Sequence, residues 1–179
     1  TDMYNVAVGS SAGTSVTSGK ENTIVGGLAF DANTVGERNV AIGYKAQSSD
    51  VAGWKTVAIG HGALENQSFS TATDSFNVAV GHSAANDITT GIKNTLIGGL
   101  AGDALTDADS NVALGFFALS DDTLGSKSVA VGFAALENQN FTTATDSFNV
   151  AVGPSAGASI TTGIYNTLIG GLAGDALTD

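Results

Sequence analysis

The sequence predicts a parallel β-solenoid, an all-β fold in which the chain winds through ten stacked rungs. An eight-residue phrase recurs ten times, with a glycine at its fifth position and an alanine at its last. Successive copies are 17 or 21 residues apart, so the period is short and almost fixed. No segment keeps a helical period, and the 24 glycines disfavour helices. Self-similarity at a short period is typical of proteins built from stacked repeats.

Two columns of small residues run through every copy of the phrase. The glycine allows a tight corner after the strand at little steric cost. An alanine column without exceptions indicates a place where two surfaces approach closely, because a larger side chain would clash. The glycine column comprises Gly9, Gly26, Gly43, Gly60, Gly81, Gly98, Gly115, Gly132, Gly153 and Gly170. The alanine column comprises Ala12, Ala29, Ala46, Ala63, Ala84, Ala101, Ala118, Ala135, Ala156 and Ala173.

Each phrase opens on a short predicted strand. In the first copy Val6 and Val8 share one face and Ala7 takes the other, which is the alternation of a β-strand. Phe69 and Phe141 supply the second apolar position of the long rungs. An asparagine opens most rungs, and its stacking predicts a side-chain amide ladder. These asparagines are Asn5, Asn22, Asn39, Asn77, Asn94, Asn111, Asn149 and Asn166.

A longer repeat is superimposed on the rungs. Three intervals of 17 residues and one of 21 make a block of 72 residues, and residues 63–107 return as residues 135–179 with only seven substitutions. Such near-identity indicates recent duplication of the block. We therefore expect residues 1–179 to form a single repetitive β-solenoid domain and to be a fragment of a longer fibre.

The two 21-residue rungs carry four extra residues each, within residues 70–75 and 142–147. We expect these residues to bulge outward as matching loops about 19 Å apart along the rod. Phe76 and Phe148 are predicted to tuck back as anchors. Repeated loops on a rod are good places for ligand contacts. The candidate contact residues are Ser70, Thr71, Ala72, Thr73 and Asp74 in the first loop and Thr142, Thr143, Ala144, Thr145 and Asp146 in the second.

A rung of 17 residues with two short strands encloses a thin core. Such a core buries little apolar surface relative to the conformational entropy lost on ordering the chain. Sharing apolar faces between copies around an axis would supply the missing burial, so we expect a homo-oligomer, most simply a trimer. A single-chain three-sided solenoid is the alternative.

The rungs resemble those of a known class of surface proteins. NVAIGYKA at residues 39–46 and TVAIGHGA at residues 56–63 resemble the VAIGxxA repeat of YadA-like heads in trimeric autotransporter adhesins. The 17-residue period with TTGIKN and TTGIYN is similar to the repeats of phage-type tail fibres and large bacterial surface fibres. The resemblance covers nearly the whole chain and implies a left-handed parallel β-roll assembled as a homotrimer. The 21-residue rungs, and a period longer than that common in adhesin heads, depart from the family pattern.

Composition narrows the possible partners and location. The net charge of −11 argues against nucleic acid and anionic membrane surfaces as partners. The chain has no cysteine, and no apolar stretch approaches the length of a membrane span, so we expect no membrane insertion. These features fit a protein that is extracellular, at the cell surface or on a virion.

Two groups of residues are candidate metal ligands. His61 and His82 follow motif glycines in consecutive rungs, but their counterparts one block later are a phenylalanine and a proline. Asp107 and Asp109 begin a run that resembles a calcium loop, without its following glycine and distal glutamate. Asp103 recurs one block later as an aspartate. We expect no resident cofactor or metal, with calcium at Asp103, Asp107 and Asp109 as the alternative to solvated acidic turns.

A threonine column lies eight residues after the motif glycines. A regular threonine array on a flat face suits ice binding, but this single column is interrupted three times, so a polar ladder is the simpler role. The column comprises Thr17, Thr34, Thr89, Thr106, Thr123, Thr161 and Thr178. The Gly-Gly pairs at residues 26–27, 98–99 and 170–171 lack the features of phosphate loops and indicate a packing adjustment instead.

These observations favour a structural or adhesive segment of an extracellular fibre, such as a bacterial surface adhesin, an appendage filament or a tail-fibre shaft. Near-identical blocks are tolerated where length and stiffness matter and no single site does. A head domain that binds a receptor or glycan on a host surface, and an ice-binding rod, are the alternatives. The sequence has two non-recurring histidines, no cysteine and no repeated acid–base pair, so we do not expect an enzyme.

Overall fold

A computed structural model describes residues 3–179 as a rod of stacked rungs. Its strands are β1 Val6–Val8, β2 Thr23–Val25, β3 Val40–Ile42, β4 Gly53–Trp54, β5 Val57–Ile59, β6 Thr73–Asp74, β7 Val78–Val80, β8 Thr95–Ile97, β9 Val112–Leu114, β10 Gly125–Ser126, β11 Val129–Val131, β12 Thr145–Asp146, β13 Val150–Val152 and β14 Thr167–Ile169. No helix occurs within these residues. The predicted all-β fold class is confirmed.

The ten three-residue strands form one parallel sheet that follows the order of the chain. Its order is β1-β2-β3-β5-β7-β8-β9-β11-β13-β14, so each rung contributes one strand beside the strand of the next rung. Ala41 pairs with Ala58, and Ala58 pairs with Ala79 across the longer rung. The four extra residues therefore do not shift the register. At about 4.8 Å per strand the sheet is roughly 45 Å long, and the chain is a parallel β-solenoid of ten turns.

The glycine column lies at a close approach between the backbones of successive rungs. Gly43 has a φ of 134°, a value that L side chains rarely adopt. A Cβ atom added there would lie 2.3 Å from the carbonyl oxygen of Gly60. The same clash with the glycine of the next rung holds from Gly9 to Gly153. Glycine is thus required by both conformation and space.

Every rung contains further residues in the left-handed region. Among residues 3–179 the non-glycine residues with positive φ number 25, with φ between 50° and 62°, and none of them is Val, Ile or Thr. Steric conflict is greatest for β-branched side chains in this region. The chain therefore keeps β-branched residues out of its described left-handed positions.

The interior of the rod is lined mainly by alanine. The central strand residue points inward, and Ala41, Ala58 and Ala79 are fully buried. The alanine column is also inside, with Ala29 and the members from Ala46 to Ala156 fully buried. The close approach predicted for this column is therefore within one chain, and the alanines offer no surface to another copy.

The asparagine ladder is confirmed, with a specific hydrogen-bonding pattern. The Asn22 Oδ1 atom accepts a hydrogen bond from the backbone N–H of Asn39, one rung on. The Asn22 Nδ2 group donates to the carbonyl oxygen of Gly36, which closes the same rung. The pattern ties each rung both to itself and to its neighbour. It runs through the asparagines from Asn5 to Asn149.

The long rungs have a polar core that the repeat pattern does not predict. Gln67 and Gln139 are fully buried seven residues after a motif glycine, where other rungs carry Ile88 or Leu105. Each donates to a buried carboxylate of the preceding rung, Asp50 or Asp122. The predicted apolar residues Phe69 and Phe141 are buried as expected.

The prediction that Phe76 and Phe148 tuck back as anchors is wrong. Their side chains are 48% and 42% exposed. Each adopts a φ of 51° immediately before a buried asparagine, and this backbone conformation turns the ring away from the core.

Candidate functional site: the outer face of the ten-stranded sheet

The outward-pointing strand residues make a continuous apolar surface along the rod. The first and third residues of each strand point away from the core, and in β9 these are Val112 and Leu114, which are 37% and 44% exposed. We call this surface the outer sheet face. It comprises Val6, Val8, Thr23, Val25, Val40, Ile42, Val57, Ile59, Val78, Val80, Thr95, Ile97, Val112, Leu114, Val129, Val131, Val150, Val152, Thr167 and Ile169.

A column of charged and aromatic residues borders this face on the side where the chain enters each strand. It consists of the residue before each rung-opening position, and we call it the entry column. Its members are Tyr4, Glu21, Arg38, Lys55, Phe76, Lys93, Ser110, Lys127, Phe148 and Tyr165. Four of the six basic residues of the chain lie in this single column. All ten members have positive φ.

Side chains of the entry column stack along the rod. Lys55 Nζ lies 5.1 Å from the ring centroid of Phe76 and 2.6 Å from a carboxylate oxygen of Asp74. Lys127 repeats this arrangement one block later, 5.2 Å from the ring centroid of Phe148 and paired with its own aspartate. These pairs are surface ion pairs, so each contributes little to stability. They hold the lysines in a fixed row.

A second column borders the face where the chain leaves each strand, and we call it the exit column. Its members follow the motif glycines: Ser10, Gly27, Tyr44, His61, His82, Gly99, Phe116, Phe133, Pro154 and Gly171. The column holds five rings from Tyr, His and Phe and no lysine or arginine. The rings of His61 and His82 stack with centroids 5.1 Å apart, and those of Phe116 and Phe133 are 6.2 Å apart.

The second glycine of a Gly-Gly pair makes room in the exit column at Gly99, where a Cβ atom would lie 3.1 Å from the ring of Phe116 in the following rung. One on Gly27 would lie 3.5 Å from the ring of Tyr44, an ordinary van der Waals distance. At Gly171 the nearest group is Pro154 of the preceding rung, at 3.9 Å.

The candidate metal ligands are not brought together as a site. Asp107 accepts a hydrogen bond from the Thr90 hydroxyl at 2.6 Å, and Asp109 accepts one from the Ile92 N–H at 2.7 Å. Both carboxylates thus serve the preceding rung. Within residues 3–179 no three His, Cys, Asp or Glu side chains are arranged to hold an ion.

Asp103 lies in a different, partly buried environment. Burial, together with the nearby charges of Asp87 and Asp121, raises the pKa of its carboxyl group to about 6. Its Oδ1 atom is buried and accepts no hydrogen bond from the described part of the chain. The three aspartates mark an acidic edge of the rod, and among the residues described they do not converge on one point that could bind an ion.

The threonine column is used for rung-to-rung hydrogen bonds. The hydroxyl of Thr89 donates to the carbonyl oxygen of Thr106 at 3.2 Å, and that of Thr106 donates to the carbonyl oxygen of Thr123 at 3.1 Å. Thr17, Thr34 and Thr161 repeat the pattern. A hydroxyl donor that is engaged in this way favours the polar-ladder interpretation over ice binding.

The candidate contact loops are exposed along most of their length. Residues 70–72 are exposed, and Thr73 and Asp74 form β6, which pairs with β4 of the preceding rung. Asp74 stays exposed within that strand, and Thr73 is partly buried. The second loop is the same, with residues 142–144 and Asp146 exposed and β12 paired with β10.

Comparisons with known proteins do not identify the chain. No family model matches it, and the comparisons with curated proteins and with solved structures give no significant match. Within the described part of the chain no helix is long and apolar enough to cross a membrane. The resemblance to adhesin heads and tail fibres therefore stays a prediction.

Proposed function

We propose that this chain is a segment of an extracellular fibre that supplies length and stiffness, and that it assembles with other copies of itself, most simply as a trimer. The observation that carries the proposal is the outer sheet face. It is apolar, continuous over ten rungs and kept in one register through both long rungs.

The size of this face supports its burial by another copy. Ten strands at about 4.8 Å and a width of about 20 Å between the two bordering columns give roughly 900 Å². Contiguous apolar patches on monomers rarely exceed a few hundred Å². A stable interface takes about 800 Å² from each partner. The face therefore has the extent and the composition of one side of an interface.

The thin alanine-lined interior also supports assembly. The inward residues Ala58, Ala79 and Ala113 bury few atoms per rung, whereas Val57 and Ile59 present their larger side chains outward. The stabilisation from apolar burial scales with the area buried. Most of the apolar area of each strand is therefore on its outward side, where only another copy can bury it. The trimer, rather than another ring, is what the resemblance to adhesin heads implies.

The fibre role is supported by the way polar groups are used. Asp107, Asp109 and the threonine hydroxyls bond from rung to rung. The Thr90–Asp107 and Thr89–Thr106 contacts recur one block later as Thr162–Asp179 and Thr161–Thr178. Extension of the rod needs only further blocks. The outward loop residues 70–72 and 142–144 are the positions we propose for contact with a host-surface receptor or glycan.

Light scattering of the purified chain at micromolar concentration tests the assembly, and we expect the mass of an oligomer. Val78→Asp on the outer sheet face should shift the chain toward monomer, whereas Thr89→Asp on the threonine column should not. A folded, strictly monomeric wild-type chain would overturn the assembly. Antibody labelling of source cells or virions in electron micrographs tests the location, and the fibre role fails if the label is confined to the cytoplasm.

A further inference from the structure

We propose that a single water molecule is bound inside the rod, where it joins the side-chain amides of Asn33 and Gln47. The two residues belong to consecutive rungs, which open at Asn22 and Asn39. Because the site lies within one chain, it depends neither on the proposed fibre role nor on assembly with other copies.

Two polar atoms at this place are buried without a partner in the chain. Within residues 3–179, Asn33 Nδ2 and Gln47 Oε1 make no hydrogen bond to the protein. Both side chains are fully buried. The first atom is a donor and the second is an acceptor. Buried polar atoms nearly always bond to protein or to ordered water, and water can accept from one of these atoms and donate to the other.

The identity of the two atoms follows from the hydrogen bonds at the other side of each amide. Asn33 Oδ1 accepts a hydrogen bond from the Gly36 N–H at 2.6 Å. Gln47 Nε2 donates one to the Asp50 carboxylate at 2.7 Å. Turning either amide over would place the Asn33 NH₂ group against an N–H, or the Gln47 oxygen against a carboxylate. The atoms that need a partner are therefore an N–H of Asn33 and the carbonyl oxygen of Gln47.

The two amides are one rung apart. Asn33 and Asp50 each follow their motif glycine by seven residues, so they are stacked at the rung spacing of about 4.8 Å. The Gln47 amide is bonded to Asp50 and so lies beside the position directly over Asn33. A water that bonds two groups at about 2.8 Å each spans up to about 5.6 Å. One water can therefore connect the two rungs, with Asn33 and Gln47 as two of the roughly two to four partners that internal waters have.

The repeat supplies an internal comparison for this site. The residues 72 positions after Asn33 and Gln47 are Leu105 and Leu119, and both are fully buried. The buried carboxylate of the next rung position and its glutamine partner are kept in both places. Both residues of the pair are thus polar in one block and apolar in the other. A shared water explains this joint exchange, because either amide alone would leave the water with one fewer partner.

The leucines of the later block give the variant that tests the site. Asn33→Leu combined with Gln47→Leu copies the pair found 72 residues later. The Gly36 N–H loses its side-chain acceptor in this variant. In rungs whose equivalent core residue is apolar, the N–H groups of Gly19 and Gly91 donate to a backbone carbonyl oxygen of the next rung. The same backbone acceptor position is available to Gly36, so the double variant should fold.

A double-mutant cycle tests whether the two amides share one partner. We expect Asn33→Leu and Gln47→Leu each to lower the melting temperature by about 3 °C, because each leaves the other amide and the water incompletely bonded. The double variant should lose no more than either single variant, since it removes the water together with both amides. Losses that simply add would overturn the shared site.

Counting internal waters tests the ligand itself. All three polar side chains around the site, those of Asn33, Gln47 and Asp50, are fully buried, so the water should exchange slowly with solvent. We expect ¹⁷O relaxation dispersion to detect one more long-lived water per chain in the wild type than in the double variant. Leu105→Met combined with Leu119→Met alters the same columns one block later and is the control, which should leave the wild-type count unchanged.

The remaining outcomes are equally decisive. An equal count in the wild type and the double variant, or the loss of one water in the control as well, would overturn the proposal. A crystal structure of the wild type decides the matter even if the double variant does not fold. Electron density for a water within about 3.2 Å of both Asn33 Nδ2 and Gln47 Oε1 would support it. Two amides bonded directly to each other, with no water between them, would overturn it.

Discussion

The side-chain amide of Gln67 donates a hydrogen bond to the carboxylate of Asp50 over 3.2 Å and so links two consecutive rungs inside the core. The same carboxylate accepts from the Gln47 amide and from the backbone N–H groups of Gly53 and Phe69. Burial raises the pKa of this carboxyl group, and the four donors oppose that shift. Removing the acceptor would leave the Gln47 amide and the N–H groups of Gly53 and Phe69 without this partner, whereas the Gln67 amide also donates to the Thr56 hydroxyl oxygen at 3.3 Å.

We expect Asp50→Ala to reduce the free energy of unfolding by about 3 kcal/mol, because unsatisfied buried donors are expensive. Asp50→Asn should reduce it by about 1 kcal/mol. The matched precedent is Asn33, one rung earlier in the same column, whose Oδ1 accepts from the Gly36 N–H at 2.6 Å. Urea unfolding at one protein concentration measures both changes. Equal losses in the two variants would contradict this account of the network.

The fold could be predicted from the sequence because ten copies of one phrase leave little freedom in strand register. The period alone does not reveal the polar core. Gln67 occupies the same column as Ile88, and that column is apolar in several other rungs. A search for the apolar core residue of the long rung therefore passes over Gln67 and selects Phe69. A count of seven residues from each motif glycine is the signal that places Asp50 and Gln67 one above the other.

Whether a side chain points into the core or toward the outside is harder to predict at the corners than in the strands. Phe76 is predicted to tuck back as an anchor because it immediately precedes the asparagine that opens the next rung. The residue before each rung-opening position has positive φ, and a single sequence gives no direct signal of that conformation. The concentration of four cations in this column is the feature of the sequence which indicates that it faces outward.

The motif glycines and the glycines that follow them should differ sharply in their tolerance of substitution by alanine. Gly98 has a φ of 139°, and a Cβ atom there would lie 2.3 Å from the carbonyl oxygen of Gly115. We expect Gly98→Ala to lower the free energy of unfolding by about 3 kcal/mol or to abolish folding. Gly99→Ala should change it by about 1 kcal/mol or less, because the nearest group is the ring of Phe116, which can shift. Thermal unfolding of the two variants compares them, and similar melting temperatures would refute the argument.

The absence of β-branched residues from the described positive-φ positions predicts a second matched pair. Leu119 and Leu105 are both fully buried, but only Leu119 has positive φ, at 55°. Leu119→Ile should destabilise the chain by about 2 kcal/mol through backbone strain. Leu105→Ile should lose about 1 kcal/mol or less, since Ile88 and Ile160 occupy the same column elsewhere. Denaturant unfolding checks the difference, and its absence would show that conformation does not limit this site.

The extra residues of the long rungs should be dispensable for folding. Deleting residues 70–73 restores the 17-residue spacing and removes Thr73, whose N–H donates to the Ala52 carbonyl oxygen and which pairs with Gly53 between β4 and β6. We expect a loss of about 1 kcal/mol, partly offset by the shorter loop. Circular dichroism and thermal unfolding test this, with deletion of residues 142–145 as the matched variant. Loss of the β-sheet signal in either deletion would show that the loops are structural.

The raised pKa of Asp103 predicts that its contribution to the stability of the fold depends on pH. An acid whose pKa is higher in the folded than in the unfolded state binds a proton more tightly when folded. The stabilising contribution of that proton is complete below the unfolded value of 3.8 and is lost as the pH rises through about 6. Asp103→Asn keeps the side chain neutral throughout. We therefore expect it to stabilise the chain at pH 8 by about 1 kcal/mol, a figure reduced for the solvent screening of a half-exposed group.

The same substitution should have about half that effect at pH 5, which lies between the unfolded value of 3.8 and the folded value of about 6. Urea unfolding of wild type and variant at pH 5 and pH 8 gives the difference directly, and subtraction removes the contributions of Asp50 and Asp122, which both chains share. Asp175→Asn, at the exposed position one block later, is the control and should change stability little at either pH. A gain that is equal at the two pH values would show that the introduced amide acts through packing and hydrogen bonding, not through the loss of the carboxylate charge.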